Sequence, residues 1–176
     1  MNTRTKIVAG LALLLAALLA WPSLKRAFWD SPSAPPENQE TKRKCVVCGM
    51  FLDSYPNWIA TIRFRDGHEV GFDGLKDLFK YYLDMPRYDA SRTFARIDAI
   101  RFTEYYSLRA IDGYSAHLVI GSDVLGPMGH ELVPFASAQA AAEFLRDHHG
   151  DRVLNFTDVT PEVISQLDQM PRTAAR

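Results

Sequence analysis

Cysteine is nearly absent. The only two, Cys45 and Cys48, fall in one stretch, Cys45-Val46-Val47-Cys48-Gly49-Met50. No disulfide scaffold is needed, because 47% of the 176 residues are hydrophobic and ten are Phe, enough for one ordinary domain. No second Cys pair or His pair stands at zinc spacing, which argues against a structural zinc site. Gly49 rather than His follows Cys48, which excludes haem attachment. An excess of one charge is also missing. The net charge is -1 and no Lys/Arg-dense face is needed to explain the composition, so no nucleic-acid partner is indicated. No Ser/His/Asp arrangement, phosphate-binding Gly loop or paired-carboxylate signature stands out.

No apolar run reaches the ~20 residues of an average spanning helix. Residues 7–21 come nearest. They are rich in Leu and Ala, follow Arg4 and Lys6, and end at Trp21 before Lys25 and Arg26. A short helix spans by local thinning, with its basic flanks reaching the interface. Residues 1–26 are therefore expected to be a retained membrane-anchor helix. A cleaved signal peptide is the alternative, since its core has this length. Either exports the domain. Residues 27–44 read as a linker, with Ser31-Pro32-Ser33-Ala34-Pro35-Pro36 extended and a polar segment after it.

Residues 45–170 read as the folded domain. Residues 58–64 alternate and are β-branched, Asp66-Gly67 signals a type I′ hairpin, and 68–72 return as a second strand. Asp73 is expected to cap a helix with Leu75, Leu78, Phe79, Tyr82 and Leu83 on one face, stopped by Met85-Pro86. Residues 96–102 form a third strand. The pattern then repeats: a strand at 106–111, a turn at Asp112-Gly113, a strand at 116–120 and a long loop over 121–134. A helix capped by Ser137 and ended by Gly150 follows, then a strand at 152–156 and a helix opened by Pro161. The expected class is α+β, a duplicated β-β-α-β unit with mainly antiparallel sheet, the halves meeting near residues 104 and 105. Neither half is large enough to be stable alone.

Two thiols and a thioether within six residues make a soft donor set, suited to Cu(I) over harder divalent ions. Cys45, Cys48 and Met50 supply it from one loop. Met128 and His130, in the Gly-Pro loop of the second half, are candidate ligands to close the site. Two other uses of the pair stay open at this point. It could be a redox-active dithiol, although it follows a linker rather than a strand–helix junction. It could also be a small structural disulfide, since an exported domain meets an oxidising compartment.

The motif Cys45-Val46-Val47-Cys48-Gly49-Met50 resembles the Cys-x-x-Cys-x-Met motif of the NosL family, copper-binding accessory proteins of nitrous oxide reductase maturation. Asp66-Gly67 with Phe72-Asp73 looks like the family's first half. The segment from Gly126 to Ala136, with Met128, Leu132 and Phe135, resembles its Met-Gly-x-x-Leu-x-x-Phe segment. The resemblance runs from about residue 44 to 156. It implies a duplicated β-β-α-β fold and a Cu(I) metallochaperone rather than an enzyme. It places the domain on the periplasmic face of a bacterial inner membrane, with an ABC-type assembly machine or an acceptor cuproenzyme as partner. The implied copper ligands are Cys45, Cys48, Met50 and Met128; His130 is added from the residues alone. Many family members are lipoproteins, whereas no Cys precedes Cys45 here, so the apolar helix takes the anchor's place and another copper enzyme could be the acceptor. The rivals are a periplasmic thiol–disulfide oxidoreductase, an organomercurial-handling enzyme (the family's fold is related to that of alkylmercury lyase), and an interaction module with a Cys45–Cys48 disulfide.

Overall fold

The computed structural model describes residues 43–171, which belong to the unit Lys42–Arg176, one of two into which the chain divides. The expected anchor at 1–26 and nearly all of the linker at 27–44 lie outside the described residues. Among the described residues no helix is long and apolar enough to cross a membrane.

Alternation builds the first sheet. In β1 (Ala60–Phe64), Ala60, Ile62 and Phe64 are buried and Arg63 is exposed, the pattern of a strand with one face on a core. β1 pairs antiparallel with β2 (Glu69–Phe72) and with β3 (Ile97–Thr103). Between β2 and β3 run α1 (Leu75–Leu83) and the one-turn α2 (Met85–Tyr88). α1 lays Leu75, Leu78 and Phe79 into the core. Pro86 ends it indirectly, by standing in the first turn of α2, where a missing N–H costs nothing. A fourth strand, β4 (Ala110–Asp112), joins beyond β3, giving the order β2-β1-β3-β4.

The second sheet is built on β5 (His117–Ile120). A two-stranded ribbon follows, β6 (Leu125–Gly126) with β7 (Gly129–His130), and then β8 (Val133–Phe135). α3 (Ala138–Asp147), β9 (Arg152–Leu154) and α4 (Pro161–Gln169) complete the domain. The order is β8-β5-β9. β5 is buried on both faces. Leu118 and Ile120 join the core that holds α1 and the first sheet, while Val119 packs with Val133, Phe135, Ala141 and Phe144 under α3. One hydrophobic core therefore spans both halves. The class is α+β with antiparallel pairing throughout the two sheets.

The β-β-α-β unit does occur twice, and each copy puts its first strand in the middle: β2-β1-β3 and β8-β5-β9. The members of the second copy differ from those expected. The strand expected at 106–111 shrinks to β4 and belongs to the first sheet, so the halves do not divide at 104/105. Glu104 accepts from Ser107 N at 2.6 Å and folds 104–109 into a tight turn, with Leu108 at φ 55. Asp112-Gly113 is not a hairpin turn. Gly113 is needed for close packing, because a Cβ there would press on Ile100 and Phe102. The second hairpin is instead the long segment between β5 and β8, which carries the β6–β7 ribbon where a plain loop was expected. The first hairpin turns at Asp66-Gly67, but with a three-residue loop rather than type I′. Phe64 and His68 pair across it, and among its residues only Gly67 has a positive φ.

One side chain ties the halves at the start of α1. Gly74 precedes the helix and has nothing to cap it with. Glu131, buried just after β7, accepts from Lys76 N at 2.7 Å through Oε1, satisfying an orphan donor of the first turn from the other half. A Cβ on Gly74 would collide with Glu131 Oε2, so only glycine admits this approach. Burial pushes the Glu131 carboxyl up to about 8, against the attraction of Lys76 and the two backbone N–H groups it accepts from. The folded chain then holds this proton more tightly than the unfolded chain, so Glu131 withdraws stability as pH rises from about 4.5 to 8. Urea denaturation across pH 5–8 is expected to show wild type losing roughly 2–4 kcal/mol relative to Glu131→Gln. Parallel profiles would mean that Glu131 titrates normally in the folded state.

Candidate metal centre

The Cys-x-x-Cys stretch folds as a tight loop at the edge of the domain. Lys44 and Phe51 bridge its ends. Inside, Cys45 N donates to Met50 O at 2.8 Å and Gly49 N to Cys45 O at 2.9 Å. Gly49, at φ 80, supplies the left-handed backbone that lets the chain reverse there. The loop turns both thiols inward. Cys45 is buried, Cys48 half-buried, and both are free.

The thiols meet the start of α1. Cys45 Sγ stands 3.4 Å from Asp77 Oδ2, and Cys48 Sγ stands 3.2 Å from Asp73 Oδ1. The four ligand atoms all lie within 4.8 Å of one another. Both carboxylates are fully buried, at 0% and 1% exposed, which is rare for Asp without a strong partner. Asp73 Oδ2 and Asp77 Oδ1 receive no hydrogen bond, although Lys80 Nζ approaches Asp77 Oδ1 to 3.6 Å. Two buried carboxylates facing two thiols, all four ligand atoms within 4.8 Å, make a set that could hold a metal ion.

Asp73 is therefore not the helix cap expected of it. Its side chain points to Cys48, and Glu131 serves the helix instead. Asp77 carried no expectation at all. The signal that would have found both is their spacing. Asp77 stands on the first turn of an amphipathic helix and Asp73 four residues earlier, just ahead of its cap, flanked by Phe72, Leu75 and Leu78, where acids are otherwise excluded.

The remaining candidates are placed differently. Met50 belongs to the thiol loop and closes it through its carbonyl. Met128 lies in the β6–β7 turn, and its carbonyl accepts from Lys76 Nζ at 3.0 Å, next to Asp77 in sequence. His130 is buried rather than exposed. Its Nε2 stands 3.0 Å from Pro171 O, its Nδ1 has no hydrogen-bond partner, and it is not part of the four-atom group.

The family model for NosL matches residues 36–164. The copper-binding lipoprotein NosL of Stutzerimonas stutzeri is 28% identical over 182 residues, covering 97% of this chain and 90% of its own. The crystal structure of the copper chaperone NosL from Shewanella denitrificans shares the fold at TM-score 0.59 and 20% identity, over 74% of this chain and 99% of that one. The solution structure of apo-NosL from Achromobacter cycloclastes is 26% identical over 60% of this chain and 87% of its own, with TM-score 0.42.

Burial, reinforced by the carboxylates, pushes the Cys45 thiol up to about 11 and raises the Cys48 thiol as well. These are not activated nucleophiles, which need a depressed pKa. Without metal, alkylation by iodoacetamide at pH 8 is expected to run about two orders of magnitude slower at Cys45 than at a free cysteine, from its thiolate fraction alone. Faster alkylation than free cysteine would favour the oxidoreductase.

Proposed function

The chain belongs to the NosL family, and on that premise we propose that it is a non-enzymatic carrier of copper, held as Cu(I). The observation that carries the reading is the convergence of two free thiols, one buried and one half-buried, at one loop. Thiolates are soft donors and match Cu(I), the cargo, which is satisfied by two to four ligands. Cys45 holds from inside the domain. Cys48, half-buried, is the donor that an acceptor's ligand reaches first. Met50 is the next donor within the loop. Met128 and His130 are the donors proposed from the second half, and His130 offers Nδ1 because Nε2 faces the Pro171 carbonyl.

Residues 1–26 tether this domain to the outer face of a bacterial inner membrane, the role a lipid plays in a relative named as a lipoprotein. From there copper passes to an ABC-type assembly machine and on to nitrous oxide reductase, or to another copper enzyme. The raised Cys45 pKa supports a carrier over a thiol–disulfide oxidoreductase.

Anaerobic titration of the full-length chain against a chromophoric Cu(I) chelator tests this. One equivalent is expected to bind tightly, with affinity lowered more than about 100-fold in Cys48→Ser and about 10-fold in Met128→Leu. No competition by fully reduced wild type would sink the reading. Unchanged affinity in Met128→Leu would remove Met128 from the site.

A further inference from the structure

We infer that the carboxylates of Asp73 and Asp77 make this same site a tetrahedral holder for a divalent thiophilic cation of the zinc class, in addition to Cu(I). The inference rests on the carrier reading for the location of the site, and it extends the cargo that site accepts.

Geometry is the first ground. A tetrahedral ion with metal–sulfur bonds of about 2.3 Å and metal–oxygen bonds of about 2.1 Å holds neighbouring sulfur and oxygen ligands about 3.6 Å apart. The two sulfur–oxygen pairs here stand at 3.2 and 3.4 Å, and all four atoms lie within 4.8 Å. Two of the six ligand–ligand distances are thus close to those such an ion requires, and the others fall within 4.8 Å. The donors are also held there, by a six-residue loop with two internal backbone hydrogen bonds and by the capped first turn of α1.

Donor chemistry is the second. Cu(I) is filled by sulfur and gains little from hard carboxylate oxygen. A site meant for Cu(I) alone has no use for two buried acids beside its thiols. A borderline divalent ion accepts thiolate and carboxylate together.

Charge is the third. Two thiolates and two carboxylates bring four negative charges into a site where three of the four residues are buried. A monovalent ion leaves three of these, a divalent ion two, and Lys80 at 3.6 Å from Asp77 offsets one more. Uncompensated charge away from water is costly, so the divalent ion matches the site better. Asp73 Oδ2, buried and without a donor, is free to turn to the metal or to complete a bidentate grip.

Anaerobic titration of the full-length chain with Co(II) as the spectroscopic probe tests this. The expected result is one equivalent bound, with thiolate-to-cobalt charge transfer in the near ultraviolet and visible bands of tetrahedral intensity, bleached by one equivalent of Zn(II). Asp73→Asn and Asp77→Asn should each lower the divalent affinity at least tenfold more than they lower the Cu(I) affinity measured by chelator competition. If Asp77→Asn does not fold, the isosteric Asp73→Asn decides alone. Absence of the charge-transfer band in wild type overturns the inference. So does an equal loss of both affinities, which would assign the carboxylates to folding. Cobalt binding without Cu(I) competition would overturn the copper reading and leave the divalent site standing.

Discussion

The carboxyl group of Glu131 at the N-terminus of α1 makes the contact on which the arrangement depends. It reaches from the ribbon of the second half to accept from Lys76 N at 2.7 Å in the first. A buried acceptor at that position meets both the orphan N–H groups and the positive end of the helix dipole. Its neighbours fit the same purpose. Gly74 leaves room for it, and Lys76 sends its ammonium to Met128 O in the ribbon and to Asp168 on α4. The start of α1 is thereby fixed by three contacts, two to the ribbon segment and one to α4. Asp73 and Asp77 bracket that start, so the same contact sets where the two carboxylates stand relative to the thiol loop.

Much of this was legible locally. Alternation marks β1 to β3, apolar spacing marks α1 and α3, Ser137 caps α3 by accepting from Ala140 N, and Pro161 opens α4. The thiol pair stood out by its spacing. What escaped shares one cause: residues whose reason for being there lies far off in sequence. Asp112-Gly113 looks like a turn, but Gly113 answers to Ile100 and Phe102 across the sheet. Asp73 looks like a cap, but its partner is Cys48, 25 residues earlier. His130 looks like a loop residue beside Met128, but the ribbon buries it with Nε2 against the Pro171 carbonyl. A local rule chooses the commonest role for a residue type, and tertiary contacts override it where a site is being built.

The two copies of the repeat make the override visible. After β2 the chain reads Phe72-Asp73-Gly74-Leu75, and after β8 it reads Phe135-Ala136-Ser137-Ala138. Phe72 and Phe135 are fully buried strand ends, and Leu75 and Ala138 each begin a helix. In the second copy the helix keeps its own cap, Ser137, and the residue before it is a plain Ala. In the first, glycine occupies the cap position and an acid takes the place of that Ala. The capping group comes instead from Glu131, in the long segment that only the second copy carries between its first two strands. An acid at position 73 serves the thiols only if the helix is capped from elsewhere, and Glu131 fits only where position 74 lacks a Cβ. These three differences between the copies are thus one difference. The first copy gave up self-sufficiency at its helix start and gained a donor pair there, and the second copy supplies the missing contact. A half of this domain expressed alone would lack either the cap or the site.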